Sequence, residues 1–181
     1  MPAIRRLVSP ELTSDEVHAL RALFAAAWPA PDDAFAEEDW EHALGGVHVL
    51  LEKDGRILSH ASVVPRVLEV GGEPLRVGYV EAVATWPEFQ HRGHGSAVMR
   101  EIGSVIVAEY ELGALGTGEF GFYERLGWEH WRGPTSVRTP TGTARTTAED
   151  GYIMVLRTPA TPPNLALDAP ISCQWRSGDV W

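Results

Sequence analysis

A strand that runs into a glycine-rich turn and then into a helix constrains the fold of this chain most. Residues 78–85 are mostly apolar and contain one acid, Glu81, while Gly93 and Gly95 stand in the turn that follows. Apolar residues then recur at the spacing of one helix face: Val98, Ile102, Val105 and Ile106. Glycines let the backbone N–H groups of a turn point inward, and a helix N-terminus attracts anions. With Arg92 adding positive charge, the segment predicts a phosphate or pyrophosphate site.

The spacing of this turn, Gln90-x-x-Gly93-x-Gly95, separates it from two other phosphate-binding motifs. A dinucleotide fingerprint needs G-x-G-x-x-G after the first strand, and a Walker loop needs G-x-x-x-x-G-K-[ST]. The turn instead resembles the acetyl-CoA pyrophosphate loop of the GCN5-related N-acetyltransferases. The alternative is a turn whose glycines only permit tight packing of the strand against the helix.

This resemblance implies an α+β fold, in which a curved mixed sheet splits after its central strand and is flanked by helices. The order of elements expected from the sequence, β-α-α-β-β-β-α-β-α-β, matches that fold. In the family the pantetheine arm of acetyl-CoA lies in the split like an added strand. The residues that the resemblance places against acetyl-CoA are Ala82, Val83, Thr85, Gln90, His91, Arg92, Gly93, His94, Gly95 and Ser96.

Local signals predict several other features of the chain. Thr13 followed by Glu16 forms a capping-box pattern at the start of a helix. Residues 135–147 are rich in Thr, Pro and Gly, which predicts an exposed hairpin or loop. We expect a single acetyltransferase domain, 1–181, in which residues 158–181 form a C-terminal extension that closes the substrate pocket.

Several segments resemble one branch of that family, the aminoglycoside 2′-N-acetyltransferases. They are residues 39–48, 78–81, 112–115, 133–142 and 175–181. Most of them lie outside the motif that all acetyltransferases share. The resemblance implies direct transfer of acetyl from acetyl-CoA to the 2′-amine of an aminoglycoside, which gives antibiotic resistance.

Such a transfer needs a base, because the amine that attacks the thioester must be neutral. By the resemblance, Glu81 accepts the proton through a water, Tyr123 serves the leaving thiolate, and Trp181 brings its C-terminal carboxylate to the substrate. The alternative for Glu81 is an acid that points to solvent, although its neighbours are apolar. The alternative for Tyr123 is a core aromatic residue with a satisfied hydroxyl.

Acidic groups are what the resemblance places against the cationic substrate. They are Asp33, Asp39, Glu81, Asp150 and Asp179, together with the carboxylate of Trp181. A solvated surface position is the alternative for the aspartates. The chain departs from the family pattern at Ala34, where the family has an aspartate directly before the phenylalanine. This change leaves the substrate range open and makes kasugamycin, which also has a 2′-amine, a candidate.

The charge and composition of the chain limit the classes of partner that we expect it to bind. A net charge of −10 argues against nucleic acid and is compatible with a polycationic small molecule. No apolar run is long enough for a membrane span, the N-terminus does not read as a secretory signal, and the single cysteine, Cys173, excludes an internal disulfide. We therefore expect a cytoplasmic enzyme with no membrane partner, and the family tendency predicts a homodimer.

Two further questions concern metals and alternative functions. His91 and His94 have a spacing that invites a metal site, but no third ligand accompanies them, so we expect no metal. One alternative function is acetylation of another small amine metabolite by the same fold. The other, from a different class, is a non-catalytic binder of a cationic antibiotic.

Overall fold

The computed structural model describes residues 1–32 and 34–181. The described chain forms two compact units. The first unit contains Met1–Val64 and Val80–Ile102, and the second contains Pro65–Tyr79 and Gly103–Trp181. The prediction of a single domain with a closing extension stays a prediction.

Helices and strands are interspersed along the chain. The helices are α1 (Ser14–Ala27), α2 (Glu37–Ala43), α3 (His94–Glu109) and α4 (Phe120–Glu124). The strands are β1 (Ala3–Val8), β2 (Val47–Lys53), β3 (Arg56–Val70), β4 (Glu73–Thr85), β5 (Leu112–Gly116), β6 (Glu129–His130), β7 (Thr135–Thr139), β8 (Gly142–Arg145), β9 (Ile153–Arg157) and β10 (Ile171–Gln174). Among the described residues, none of these helices has the length and apolar character needed to cross a membrane.

The first unit packs α1 and α2 on an antiparallel arrangement of β1, β2 and the first part of β3. The predicted capping box of α1 is confirmed, because the N–H of Glu16 donates to Thr13 Oγ1 at 3.3 Å and the N–H of Thr13 donates to the Glu16 carboxylate at 2.8 Å. Apolar side chains from both helices and from the strands then form one core cluster. Its buried members are Leu7, Leu20, Leu23, Phe24, Trp40, Leu50, Ile57 and Ala84.

The second unit is built on a mixed sheet in the order β6-β9-β5-β4-β3-β10-β7-β8. The β4–β5 and β10–β7 pairs are parallel, whereas β5–β9, β6–β9, β3–β10 and β7–β8 are antiparallel. The parallel pairing of β4 with β5 covers Val77 to Tyr79, and β4 itself continues to Thr85. The strand order brings the end of the chain into the sheet through β10.

Strand β10 differs from the expected elements for a physical reason. The sequence predicted no strand there, because the segment lies beyond a proline-rich stretch and pairs with residues distant along the chain. Strand β3 runs through Pro65 without a break. Pro65 is exposed, which fits the tolerance of proline where a strand has no ladder bond to donate. Of the hairpin or loop predicted within residues 135–147, the hairpin is confirmed as β7 and β8. The expected exposure is wrong for Thr135 and Val137, which are buried.

Candidate active site

The glycine-rich turn of the first unit lies between β4 and α3, where the sequence predicted it. A short 3-10 helix, Pro87–Phe89, leads into it, and two residues adopt positive φ angles, His91 at 59° and Gly93 at 82°. The first α3 bond runs from the N–H of Ala97 to the carbonyl of Gly93 at 2.9 Å. The N–H groups ahead of Ala97 in the first helical turn therefore have no acceptor within the helix and are suited to bind an anion.

The side chains of this turn divide between fastening it and facing solvent. Gln90 Nε2 donates to the carbonyl of Thr85 at 3.3 Å, which ties the turn back to the end of β4. Arg92 is exposed, and its guanidinium lies 5.4 Å from the centre of the Phe89 ring. Arg92 thus supplies positive charge at the rim of the turn.

The end of β4 is irregular at Ala82, a non-glycine residue with a φ of 51°. A left-handed residue inside a strand acts as a bulge that re-aims the neighbouring side chains and peptide groups. Glu81 directly precedes it and is half-buried, as are Val83 and Thr85 after it. The predicted base therefore stands beside a conformation that L-residues adopt at a cost of about 1–2 kcal/mol.

Polar side chains of β3 hold the carbonyl groups of this irregular stretch. Ser62 Oγ donates to the carbonyl of Glu81 at 3.3 Å, and His60 Nδ1 donates to the carbonyl of Ala82 at 2.8 Å. Ser59 Oγ donates to the carbonyl of Ala84 at 3.0 Å. All three β3 residues are fully buried. The sequence reasoning missed this row, although three polar residues within an apolar strand were a visible signal.

His60 is also the end of a longer buried chain of hydrogen bonds. Its Nε2 lies 2.9 Å from His48 Nδ1, and His48 Nε2 lies 2.8 Å from Ser9 Oγ. Burial lowers the pKa of His48 to about 4 and that of His60 to about 3, with the neighbouring His48 adding to the shift at His60. Both imidazoles are therefore neutral at physiological pH.

These two histidines make folding sensitive to acid. Their native pKa values lie below the ordinary value of 6.5, so below that pH the unfolded chain binds protons that the native chain does not. We expect the free energy of unfolding to fall as the pH drops from about 6.5 towards 4, by up to about 1.4 kcal/mol per pH unit for each histidine. Urea unfolding of the wild type at several pH values measures this slope.

Substitution of histidine by asparagine provides both the test and its matched control. The double variant His48→Asn with His60→Asn is expected to have a shallower slope between pH 6.5 and 4 than the wild type. His18→Asn, on the exposed face of α1, is expected to leave the slope unchanged. Equal slopes in the wild type and the double variant would contradict the buried neutral state of the pair.

In the second unit, Tyr123 lies on α4 and is only 7% exposed. Its ring packs edge-on against Phe122 and Trp128, with centroid distances of 4.9 and 6.1 Å. Burial raises the pKa of Tyr123 well above its ordinary value, and the charge of Glu119 adds to the shift. The hydroxyl is therefore protonated at every physiological pH and is able to donate.

The C-terminal segment of the second unit is fastened by specific hydrogen bonds. Trp181 is 4% exposed, and its indole N–H donates to Thr146 Oγ1 at 2.9 Å. The backbone N–H of Trp181 donates to Asp179 Oδ1 at 3.0 Å. Arg176 donates to the backbone oxygens of Asp179 and Trp181 at 2.7 and 3.0 Å. The structure thus brings two of the predicted substrate residues, Asp179 and Trp181, together.

A second arginine supports the same segment from β3. Arg66 donates to the carbonyl of Val180 at 2.7 Å and to that of Gln174 at 3.1 Å. Its guanidinium lies 4.6 Å from the centre of the Tyr79 ring, and that of Arg176 lies 5.7 Å from the same ring. The sequence reasoning did not single out either arginine.

Asp150 already has several donors within the second unit. Its Oδ1 accepts from the N–H and the hydroxyl of Thr135, at 2.8 and 2.9 Å, and its Oδ2 accepts from Arg145 at 2.6 Å. These bonds, that from the Thr135 N–H first, hold the pKa of Asp150 below its ordinary value. Nearby, burial and the charge of Asp179 raise the pKa of Glu149.

The remaining acidic positions belong to the first unit. Asp39 Oδ2 accepts from the N–H of Ala36 at 2.7 Å and so caps the start of α2. Ala34, where the chain departs from the family pattern, is exposed. Asp33 lies outside the described residues. The substrate roles of Asp33, Asp39 and Asp150 stay predictions.

Comparison with known proteins identifies the family. Residues 10–131 match the Acetyltransferase (GNAT) domain family. Over 151 residues the chain is 43% identical to a protein of Mycolicibacterium fortuitum named aminoglycoside 2′-N-acetyltransferase, and the match covers 81% of this chain and 77% of that protein. The chain belongs to the aminoglycoside 2′-N-acetyltransferase family of the GNAT acetyltransferases.

Solved structures show the same fold for this acetyltransferase. A GNAT family acetyltransferase from Brucella melitensis, solved in complex with acetyl-CoA, matches with a TM-score of 0.63 at 18% identity, over 98% of this chain and 97% of that one. A probable N-acyltransferase from Enterococcus faecalis matches with a TM-score of 0.60 at 19% identity, over 74% of this chain. That protein is larger, and the match spans 33% of its length. The predicted mixed-sheet acetyltransferase fold is confirmed.

The turn of this acetyltransferase fits the pyrophosphate of acetyl-CoA. A Cβ added to Gly93 would meet no atom within 4 Å, so the space in front of the turn is open. His94, Gly95 and Ser96 are half-buried and present the N–H groups of the first turn of α3. Donor groups without charge, with Arg92 beside them, are the set that a pyrophosphate prefers at a helix N-terminus.

Replacement of Gly93 by alanine tests this fit. The φ of 82° is strained for any residue with a Cβ, so we expect the turn to shift and the Kd for acetyl-CoA to rise by about 10-fold or more. The matched control is Gly55→Ala, in the β2–β3 hairpin, where φ is 75° and a Cβ also meets open space. Both variants are expected to lose about 1 kcal/mol of stability, but only Gly93→Ala to lose acetyl-CoA affinity, as measured by calorimetry. Equal affinities would contradict the site.

Proposed function

We propose that this enzyme transfers an acetyl group from acetyl-CoA to the 2′-amine of an aminoglycoside. The observation that carries the proposal is the half-buried Glu81 beside the left-handed Ala82, in a chain of this family. A carboxylate in that position is suited to accept a proton from the substrate ammonium group, directly or through a water, and so to leave the neutral amine that attacks. The curated relative from Mycolicibacterium fortuitum bears the name of the same activity.

The proposed mechanism assigns one task to each part of the enzyme. The turn from Gln90 to Ser96 binds the pyrophosphate, and main-chain groups of Ala82, Val83 and Thr85 align the pantetheine arm. Glu81 removes the proton that the amine must lose in order to attack. Peptide N–H groups near Ala82 stabilise the negative charge that develops on the thioester oxygen.

Tyr123 has the properties that the end of this reaction requires. The departing sulfur of CoA carries negative charge and needs a proton or a hydrogen bond. Burial keeps the Tyr123 hydroxyl protonated, which supports its assignment as the donor to that sulfur. Its position on a short helix with packed aromatic neighbours supports a fixed orientation.

Acidic groups are proposed to recognise the cationic substrate. Asp179 and Trp181, joined by a hydrogen bond of 3.0 Å, form one proposed contact, and Asp33, Asp39 and Asp150 the others. The net charge of −10 supports attraction of a polycation. Ala34 stands where the family has an aspartate, with Asp33 one residue earlier, and this change makes kasugamycin, which also has a 2′-amine, a proposed substrate.

The assay is thiol release from acetyl-CoA against matched pairs of aminoglycosides that carry an amine or a hydroxyl at the 2′ position, with kasugamycin in the panel. Turnover with the amines only is the expected result. Turnover confined to kasugamycin would support a change of substrate specificity that results from Ala34. Turnover with none, despite measurable acetyl-CoA binding, would contradict the substrate class and direct attention to other small amines. Sedimentation and cell fractionation test the homodimer and the cytoplasmic location that we also propose.

A further inference from the structure

We propose that the chain Ser9–His48–His60 is a positioning device for acetyl transfer. It holds the carbonyl of Ala82, fixes the left-handed conformation of that residue, and thereby orients Glu81 and the adjacent peptide N–H groups. The inference rests on the proposed role of Glu81 in catalysis. Ser9, His48 and His60 act through the carbonyl of Ala82 and contact no reacting atom in the proposed mechanism.

The direction of every hydrogen bond in the chain follows from its last member. A carbonyl oxygen only accepts, so His60 Nδ1 carries the hydrogen that it donates to Ala82 at 2.8 Å. Neutral His60 then has a lone pair on Nε2, which makes His48 Nδ1 the donor at 2.9 Å. His48 Nε2 in turn accepts from the hydroxyl of Ser9 at 2.8 Å. Both histidines are therefore Nδ1-protonated.

Ser9, at the other end of this hydrogen-bond chain, is also held in place. Ser9 Oγ accepts from the N–H of Gly45 at 2.9 Å, and the N–H of Ser9 donates to the carbonyl of Gly46 at 3.2 Å. A Cβ on Gly46 would lie 2.0 Å from the carbonyl oxygen of Val63, so only glycine permits this approach of the β2 entry to β3. The glycine pair thus anchors Ser9, which in turn fixes His48.

An aromatic enclosure keeps both imidazoles neutral and immobile. The Phe24 ring of α1 lies edge-on to His60 with a centroid distance of 5.2 Å, and the Trp40 ring of α2 lies 6.4 Å from His48. Both histidines are fully buried. Burying two polar rings is unfavourable unless each finds partners, and these rings find partners only in one arrangement of tautomers. A hydrogen-bond chain that allows only one arrangement of tautomers is suited to hold the backbone of Ala82 in one conformation.

The hydrogen-bond chain Ser9–His48–His60 is not suited to proton transport. A relay that delivers a proton must end on a group able to accept one, and this chain ends on the carbonyl of Ala82. Positioning is the role that remains for it near Glu81. Ser59 and Ser62, which hold the carbonyls of Ala84 and Glu81, act on the same stretch.

Nuclear magnetic resonance tests the arrangement without any substrate. In ¹⁵N-labelled protein at neutral pH, the ring nitrogens of His48 and His60 are expected to show the neutral Nδ1-protonated tautomer, which is the rarer form of free histidine. Either ring in the Nε2-protonated or the doubly protonated form would overturn the proposal.

Two substitutions of His60 separate positioning from stability. Asparagine places an N–H donor near the position of Nδ1, whereas leucine supplies none. We expect His60→Leu to move the backbone resonances of Ala82 and Val83 and to lower kcat by about 10- to 100-fold, with the Kd for acetyl-CoA changed less than about 3-fold. His60→Asn is expected to restore most of both. Ser9→Ala is expected to cause a smaller change of the same kind.

The control is Val155→Ala, a buried core variant on β9 in the second unit, outside the core cluster that contacts Ala82. It is expected to lower the melting temperature without moving the Ala82 resonances or kcat of the folded enzyme. The proposal is overturned if His60→Leu leaves those resonances unmoved, or if asparagine and leucine are equivalent. Because the resonances are read without substrate, a failure of the aminoglycoside assay in the wild type is distinguishable from a failure of this proposal.

Discussion

Replacement of Glu81 by glutamine is expected to lower kcat by about 10²- to 10⁴-fold, the contribution typical of a positioned general base. Glutamine keeps the size of the side chain and its place on β4, beside the left-handed Ala82, but does not accept a proton. The Kd for acetyl-CoA is expected to stay within about 3-fold of the wild type, since the pyrophosphate turn lies further along the chain. Steady-state kinetics and calorimetry measure the two quantities.

The matched control for this change is Glu73→Gln, at the exposed start of the same strand. It removes one negative charge in the same way and is expected to leave kcat unchanged. If Glu81→Gln and Glu73→Gln had equal effects on kcat, Glu81 would have no role as a base. If Glu81→Gln weakened acetyl-CoA binding as strongly as it lowered kcat, the residue would act through the structure of β4.

Replacement of Tyr123 by phenylalanine is expected to lower kcat by about 10²-fold, at the lower end for a general acid. The lower end is expected because a thiol has a pKa near 8.5, so the leaving thiolate is partly stable without a proton. Since burial raises the pKa of Tyr123, the wild-type kcat should show no loss from deprotonation of this tyrosine up to its ordinary pKa of 10. Kinetics over a range of pH measure both effects.

Tyr152→Phe is the control for the loss of a phenol hydroxyl in the second unit. Tyr152 is 49% exposed, and its substitution is expected to change neither kcat nor stability by a measurable amount. An unaltered kcat in Tyr123→Phe would show that Tyr123 is a core aromatic residue, which was the alternative from the sequence. A large loss of stability without loss of kcat in the folded fraction would lead to the same conclusion.

The parts of the fold that local chemistry determines were predictable from the sequence. The capping box at Thr13, the turn at Gly93 and the helical periodicity after it depend on neighbouring residues, and each is present. Strand β10 was not predictable in this way, because it is short and its partners Thr135 and Val70 are distant in sequence. Its alternation of apolar and polar residues, from Ile171 to Gln174, was a weak local signal.

The candidate site likewise has parts that local sequence predicted and parts that depend on residues distant in sequence. Glu81 and the turn are a continuous stretch, so the motif located them together, although their roles stay predictions. The histidine chain was missed because His48 and His60 carry no spacing signal along the sequence. Strand register makes them neighbours, since His48 pairs with Ser62 and Leu50 pairs with His60 in the β2–β3 ladder. Such diagonal neighbours emerge only after the register is known.

The position of the acetyl group in the product tests the central claim most directly. The enzyme is incubated with acetyl-CoA and an aminoglycoside that carries amines at 2′ and at other positions, and two-dimensional nuclear magnetic resonance locates the new amide. The account predicts one product, acetylated at the 2′ nitrogen, and none when a hydroxyl replaces that amine. Acetylation at any other nitrogen, or turnover of the 2′-hydroxyl compound at a comparable rate, would contradict it.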